Sequence, residues 1–194
     1  MSDPIALFRE WAAQAKRPDI PEPDAAALAT VDAHGRPSVR MVLVRGADER
    51  GFTFYTNFDS PKAADLLRGA PAYASLCFWW PTITKQIRVE GTATPLDADE
   101  ADAYWSSRER GSQVSAWASR QSAVLAGGRE ELERRFHELD RTLPREGIPR
   151  PPYWSGFRVK PDRMEFWQGM PHRLHHRRLY VRDGDGWITK ILSP

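Results

Sequence analysis

From Ala25 onward the period is that of strands rather than helices, with polar and apolar residues alternating along Lys85 to Ala93, and the first strand-like runs are separated by turns of only a few residues. The run from Ala25 to Asp32 is followed by the turn His34-Gly35-Arg36-Pro37 and then by Ser38-Val39-Arg40-Met41-Val42-Leu43-Val44-Arg45, the pattern of a strand hairpin. A third strand, Phe52 to Asn57, follows the turn Asp48-Glu49-Arg50-Gly51. Parallel neighbours need crossover connections of roughly a dozen residues or more, so turns this short require antiparallel pairing and argue against a doubly wound parallel sheet. No G-x-G-x-x-G or G-x-x-x-x-G-K-[ST] run occurs, which removes the usual dinucleotide and nucleoside-triphosphate folds.

Further strands are expected at Tyr73 to Trp80, Lys85 to Ala93, Gly156 to Val159 and Met164 to Trp167. A terminal hairpin, Leu179–Arg182 with Trp187–Ile191, turns at Asp183-Gly184-Asp185-Gly186. Helices intervene. Asp3 and Pro4 suit the N-cap and first position of a helix over Pro4 to Lys16 with Ile5, Phe8, Trp11 and Ala12 on one face. Ser60-Pro61-Lys62 opens a short helix from Ala63 to Arg68, a helix start of the kind that suits phosphate. Asp97 and Glu100 have capping-box spacing, and Arg129 to Leu143 carries an apolar stripe that includes Leu132, Phe136 and Leu139. Pro144 to Pro152 reads as a loop. The expected architecture is mainly β (α+β), a β-barrel with peripheral helices, in one domain over residues 1–194.

A formal net charge of +2 provides no broad positive field for nucleic acid. Cys77 is the sole cysteine, so neither an intrachain disulfide nor a cysteine-based zinc site can form, in keeping with a reducing, cytoplasmic setting. No stretch approaches the roughly 20 apolar residues of a membrane span, and the segment from Met1 to Glu10 lacks the pattern of an export signal.

The densest cluster of chemistry-bearing residues is His172-Arg173-Leu174-His175-His176-Arg177-Arg178. Three readings fit it: a solvated basic turn, a metal site on the three histidines, or an anion site. Flanking arginines would repel a metal cation, whereas a guanidinium pairs with phosphate through two parallel N–H bonds. Arg40 and Arg45 bracket a strand, and Ser60 and Lys62 open a helix. Tyr104, Arg108 and Ser112 recur at four-residue intervals, on one helical face or on a helix end and the loop after it. Tyr55-Thr56, Gln86 and Gln121-Ser122 add polar groups that suit a phosphate or a heterocycle edge.

Taken in order, these residues resemble the pyridoxamine 5′-phosphate oxidase family. The resemblance runs from about Asp3 to Pro194. It is carried by Arg40 to Arg45, Phe54 to Asn57, Gln113 to Ser122, and Glu165-Phe166-Trp167-Gln168-Gly169 followed by Arg173-Leu174-His175-His176-Arg177. It implies an FMN-binding split β-barrel and a homodimer with FMN at the subunit interface. By the same resemblance Arg40, Met41, Val42, Leu43, Val44, Arg45, Tyr55, Thr56, Lys62, Gln86, Gln121, Ser122, Trp167 and Arg177 would line the FMN. Tyr104, Arg108 and Ser112, with Arg45, would hold a substrate phosphate, while Arg173, Leu174 and His175 would cover the substrate ring, with Arg173 and His175 as the catalytic pair.

The implied reaction is oxidation of pyridoxamine or pyridoxine 5′-phosphate to pyridoxal 5′-phosphate by hydride transfer to the flavin, with dioxygen reoxidising it to yield hydrogen peroxide. No metal, nucleic acid or membrane enters this scheme. The chain departs from the family pattern at Arg45, where lysine is usual, at Pro61, where arginine often stands, and at His176, where aspartate is usual. The last change is expected to leave Arg173 and Arg177 without a neighbouring counter-charge. Two other functions compete with this one. One is a related split-barrel oxidase of the phenazine-pathway type; the other is a flavin-free module binding RNA through the basic and aromatic residues of Trp167 to Tyr180.

Overall fold

The computed structural model describes residues 3–69 and 71–194; Met1 and Ser2, the start of the N-terminal segment considered above, and Ala70 lie outside it. Among the described residues eight strands form one antiparallel sheet: β1 (Ala25–Val31), β2 (Pro37–Asp48), β3 (Gly51–Asn57), β4 (Ala72–Trp80), β5 (Lys85–Pro95), β6 (Trp154–Gln168), β7 (His176–Asp183) and β8 (Gly186–Ile191). Their order is β3-β2-β1-β4-β5-β6-β7-β8, and a further β3–β6 pairing closes the first six into a barrel, with β7 and β8 extending it as a free hairpin. Among the described residues the α-helices are α1 (Pro4–Ala15), α2 (Pro61–Leu67), α3 (Ala98–Ser107), α4 (Arg110–Ala118) and α5 (Gly128–Thr142). None of the helices is long and apolar enough to cross a membrane.

Alternation decides which side chains enter the barrel. Along β5 the odd-numbered residues from Lys85 to Ala93 are buried and the even-numbered ones only half-buried. Leu28, Phe52, Phe54, Leu76, Ile87, Val89, Phe157 and Val159 meet inside. Helix α1 packs on this core. Asp3 Oδ1 accepts a hydrogen bond from the Ile5 N–H at 2.9 Å, and Phe8 meets Phe52 and Phe78 edge-on at 4.8 and 5.0 Å between ring centroids. Helices α3 to α5 build a second apolar cluster around Trp105, Val114, Ile148 and Trp154, against which Phe136 and Leu139 of the α5 stripe pack.

Three local expectations come out differently. The segments Gly156–Val159 and Met164–Trp167 belong to one strand of 15 residues, β6. Pro161, which suggests a break, sits opposite Gly91 where the β5–β6 register shifts, and the bulge accommodates its missing N–H. A Cβ on Gly91 would collide with the Lys160 carbonyl, so this closure requires glycine. The capping box at α3 does not form: Asp97 makes no side-chain cap bond, and Glu100 pairs instead with Arg158 and Arg50. Ser60 likewise makes no cap bond at α2; its hydroxyl accepts from the Lys62 ammonium at 3.2 Å.

Candidate functional site

A cavity of about 830 Å³ opens between β2, β3, α2 and the α3–α4 flank, a size in the ordinary range for small-molecule sites. Its wall includes Arg40, Met41, Val42, Leu43 and Arg45 of β2, Tyr55 and Thr56 of β3, and Lys62 of α2. Tyr104, Arg108, Ser112, Gln121 and Ser122 complete it from the helical side. Thirteen of the residues singled out above therefore share one space, although β2, α3 and the segment after α4 are far apart in sequence. The four-residue spacing of Tyr104, Arg108 and Ser112 does not run along a single helix. Arg108 caps α3 in extended backbone conformation, and Ser112 lies in the first turn of α4. The break turns all three toward the same cavity.

Lys62 is buried, at 8% exposure, and its ammonium donates to Gln121 Oε1 at 2.8 Å, Thr56 Oγ1 at 3.1 Å and Ser60 Oγ. Burial, and then the charge of nearby Arg40, bring its pKa down to about 8. Across the cavity, the Arg108 guanidinium lies over the Trp154 ring at 4.7 Å and the Trp105 ring at 5.3 Å. Its Nη1 is buried and has no hydrogen-bond partner among the described residues. Burial lowers the Arg108 pKa, and the charge of Arg45 lowers it further, partly offset by Tyr104. A buried donor left unpaired costs about 1–3 kcal/mol, a cost that an incoming anion would relieve. Tyr55 and Tyr104 stack at 3.8 Å with rings 12° apart, and Trp154 continues the stack 5.4 Å from Tyr55.

The remaining singled-out residues lie elsewhere. Val44 faces the barrel core at 6% exposure. Gln86 and Trp167 are cross-strand partners on β5 and β6. The Trp167 ring lies 5.9 Å from Trp79 and 4.6 Å from His175, whose Nδ1 accepts the Met170 N–H at 3.2 Å. His172 and Arg173 both adopt left-handed backbone, φ 58° and 61°, in a single 3-10 turn, and Arg173 and Leu174 are exposed. Trp154, in the cavity wall, is the first residue of β6, and Trp167 is its last but one. At roughly 3.3 Å per residue, on the order of 40 Å of strand separates them. One chain thus carries two clusters of candidate residues at opposite ends of one strand.

Arg177 corrects one expectation. It has a counter-charge despite His176: its Nε donates to Glu165 Oε1 at 2.7 Å, and its Nη1 donates to the Ser193 carbonyl at 2.9 Å. The acidic partner comes from the neighbouring strand, where linear sequence conceals it. Trp154 was also missed, because it follows a proline-rich loop and carries no motif of its own. No group of three or more possible metal-ligating side chains occurs among the described residues, so His172, His175 and His176 do not form a cluster of that kind.

A closed six-stranded antiparallel barrel, extended by a hairpin and flanked by helices over a cleft lined with cations and hydroxyls, defines a split-barrel protein. Residues 12–142 match the family model described as pyridoxamine 5′-phosphate oxidase, and residues 154–194 match that of the pyridoxine 5′-phosphate oxidase C-terminal dimerisation region. The chain belongs to the pyridoxamine 5′-phosphate oxidase family and is an oxidoreductase of that family. It is 56% identical over 192 residues to a pyridoxine/pyridoxamine 5′-phosphate oxidase of Anaeromyxobacter dehalogenans, covering 99% of this chain and 96% of that protein. Its fold is similar to that of PhzG from Burkholderia lata, solved in complex with tetrahydrophenazine-1-carboxylic acid. That match has a TM-score of 0.92 and 37% identity, and covers 100% of this chain and 94% of PhzG. A pyridoxamine 5′-phosphate oxidase-related, FMN binding protein from Nostoc punctiforme shares the fold at a TM-score of 0.78 and 21% identity, with full coverage of both chains.

Proposed function

We propose that this chain is an FMN-dependent oxidase that converts pyridoxamine 5′-phosphate or pyridoxine 5′-phosphate to pyridoxal 5′-phosphate, with dioxygen as acceptor and hydrogen peroxide as product. The observation that carries this reading is that the cavity holds two pairs of mutually repelling cations, Arg40 with Lys62 and Arg45 with Arg108. Two such pairs in one space suit two phosphoesters, one on the cofactor and one on the substrate.

The residues present fit FMN. Arg40 and Lys62, with Thr56, Gln121 and Ser122, would hold its phosphate, and the β2 segment from Met41 to Arg45 would run beside the rest of the molecule. Bound FMN supplies the two-electron acceptor chemistry that amino-acid side chains lack. The protein's own work is then binding and alignment. Arg108, Tyr104, Ser112 and Arg45 anchor the substrate phosphate, which converts the encounter of two rings into a fixed geometry. Gln86, Trp167 and Arg177, with Arg173, Leu174 and His175, would complete the cavity of a second copy of the chain. The match of residues 154–194 to a dimerisation region supports a homodimer of this kind. Arg173 would present a fixed cation to the reacting end of the substrate, and His175 would orient it or carry a proton.

A second reading, oxidation of a phenazine-type carboxylic acid, is favoured by the likeness to PhzG. The Arg45–Arg108 pair and the unpartnered Arg108 Nη1 favour a phosphorylated substrate instead. Purified protein is expected to be yellow, to bleach when pyridoxamine 5′-phosphate is added without oxygen, and to release peroxide when oxygen is readmitted. Colourless protein that ignores added FMN would end this proposal, and equal peroxide release from phosphorylated and unphosphorylated vitamers would end the assignment of a phosphate anchor.

A further inference from the structure

Arg40 reaches the cavity with most of its hydrogen-bonding capacity already committed. Its Nη1 donates to Thr30 Oγ1 at 2.7 Å and to the Leu28 carbonyl at 3.3 Å, and its Nη2 donates to Ser38 Oγ at 2.8 Å. A guanidinium has five N–H groups, so Nε–H and one Nη2–H remain for an anion. Thr30 is 1% exposed and lies outside the cavity wall. Because arginine only donates, the Thr30 hydroxyl must accept from Arg40, and its single proton is therefore free to go elsewhere. It goes to Asp65 Oδ2 at 2.6 Å. Asp65 is on α2, three residues after Lys62 and so on the same helical face. One short helix thus carries a cation of the cavity and, through a buried hydroxyl, the acidic anchor of a second.

The anchor opposes a specific force. Arg40 and Lys62 repel one another within the cavity, and in the absence of an anion an arginine held only by its flexible stem would swing toward solvent. We propose that Thr30 and Asp65 are positioning residues for Arg40, holding the free edge of its guanidinium toward the phosphate of the bound cofactor. This rests on the flavin reading given above. Neither Thr30 nor Asp65 lines the cavity, so both would act through Arg40.

The test compares FMN with riboflavin, which has the same ring system without the phosphate, by fluorescence titration of the full-length protein stripped of flavin. Thr30→Val keeps the shape and removes both hydrogen bonds, and the preference for FMN over riboflavin is expected to fall about tenfold, the loss of one charge-assisted contact. Thr30→Ser should restore that preference to within about twofold, because the hydroxyl returns. Asp65→Asn, at a half-buried site, is expected to lower it by a smaller factor and covers the case in which Thr30→Val does not fold. A tether that merely fastens α2 to β1 would weaken both ligands alike and leave their ratio unchanged; that outcome, in either variant, overturns the proposal. Unmodified protein that binds neither ligand would instead overturn the flavin reading on which the proposal rests.

Discussion

Glu165 of β6 and Arg177 of β7 form a buried ion pair across neighbouring strands, Oε1 to Nε at 2.7 Å, and the other carboxylate oxygen faces Arg88 Nη1 at 3.4 Å. The two are diagonal neighbours, since Glu165 is in register with Leu179 and Arg177 with Trp167. The carboxylate is 7% exposed at the side chain while Arg88 and Arg177 keep 42% and 27% of theirs, so the pair is buried mainly from the acidic side. Glu165→Gln is expected to cost about 1–3 kcal/mol in urea unfolding, less than the ~3–5 kcal/mol of a fully buried pair. It should also weaken FMN binding by freeing Arg177. His176→Asp should change neither quantity much, because Arg177 already has its counter-charge; a large gain in FMN affinity from that substitution would show the Glu165 pairing to be insufficient.

Arg108 is caged by two tryptophans and lacks a hydrogen-bond partner at Nη1, so its contribution should be realised mainly when a phosphate arrives. Arg108→Met, which keeps much of the volume, is expected to raise the KM for the phosphorylated substrate about 10–100-fold, as for loss of a charge-assisted contact worth about 1.5–3 kcal/mol. The kcat should fall much less, since an anchor binds ground and transition states nearly equally. Steady-state peroxide release resolves the two parameters. An unchanged KM would remove Arg108 from substrate binding.

Arg173 is exposed within one chain and, like its neighbour His172, has left-handed backbone. Arg173→Leu should reduce turnover by about 10²–10⁴, the range for a positioned group that acts at the reacting centre. The visible flavin spectrum should persist, because Arg173 is assigned to the substrate. Wild-type turnover, or loss of the flavin itself, would contradict that assignment.

Lys62 is expected to make flavin affinity depend on pH. In the free protein its pKa is lowered from 10.5 to about 8, chiefly by burial. Only the charged form pairs with phosphate, so FMN affinity should hold steady below pH 8 and decline as pH rises through it. The free protein behaves oppositely. Between pH 8 and 10.5 the unfolded chain binds more protons at this site than the folded one, so this group's contribution to stability rises with pH across that window. Titrations of FMN from pH 6 to 10 should break near 8 in the unmodified protein and not in Lys62→Arg. Identical profiles for the two would exclude Lys62 as the source.

Much of the cavity was legible because its chemistry depends on residue type. Ten of its wall residues are singled out by their charged, hydroxyl or amide side chains, while Met41, Val42 and Leu43 enter only through the family resemblance. The groups that hold those residues were not legible. Thr30 and Asp65 lie in an ordinary strand and an ordinary helix, and Glu165 alternates correctly for a strand residue whichever partner it takes. Pro161 hid the continuity of β6, since a bulge opposite Gly91 has no mark in a single sequence. The Asp97–Glu100 spacing suggested a cap that Arg158 and Arg50 prevent by pairing with Glu100 across the barrel wall.

Local patterning was enough to establish antiparallel strands, their tight turns and the α1 cap at Asp3, because period and turn chemistry act over a few residues. Closure of the barrel through β3 and β6, the turning of Tyr104, Arg108 and Ser112 onto one cavity, and the placing of Trp154 and Trp167 at opposite ends of one strand came only with folding. Those features depend on which distant residues exclude water together, and on which buried charges find partners, and neither is set by near neighbours in the chain.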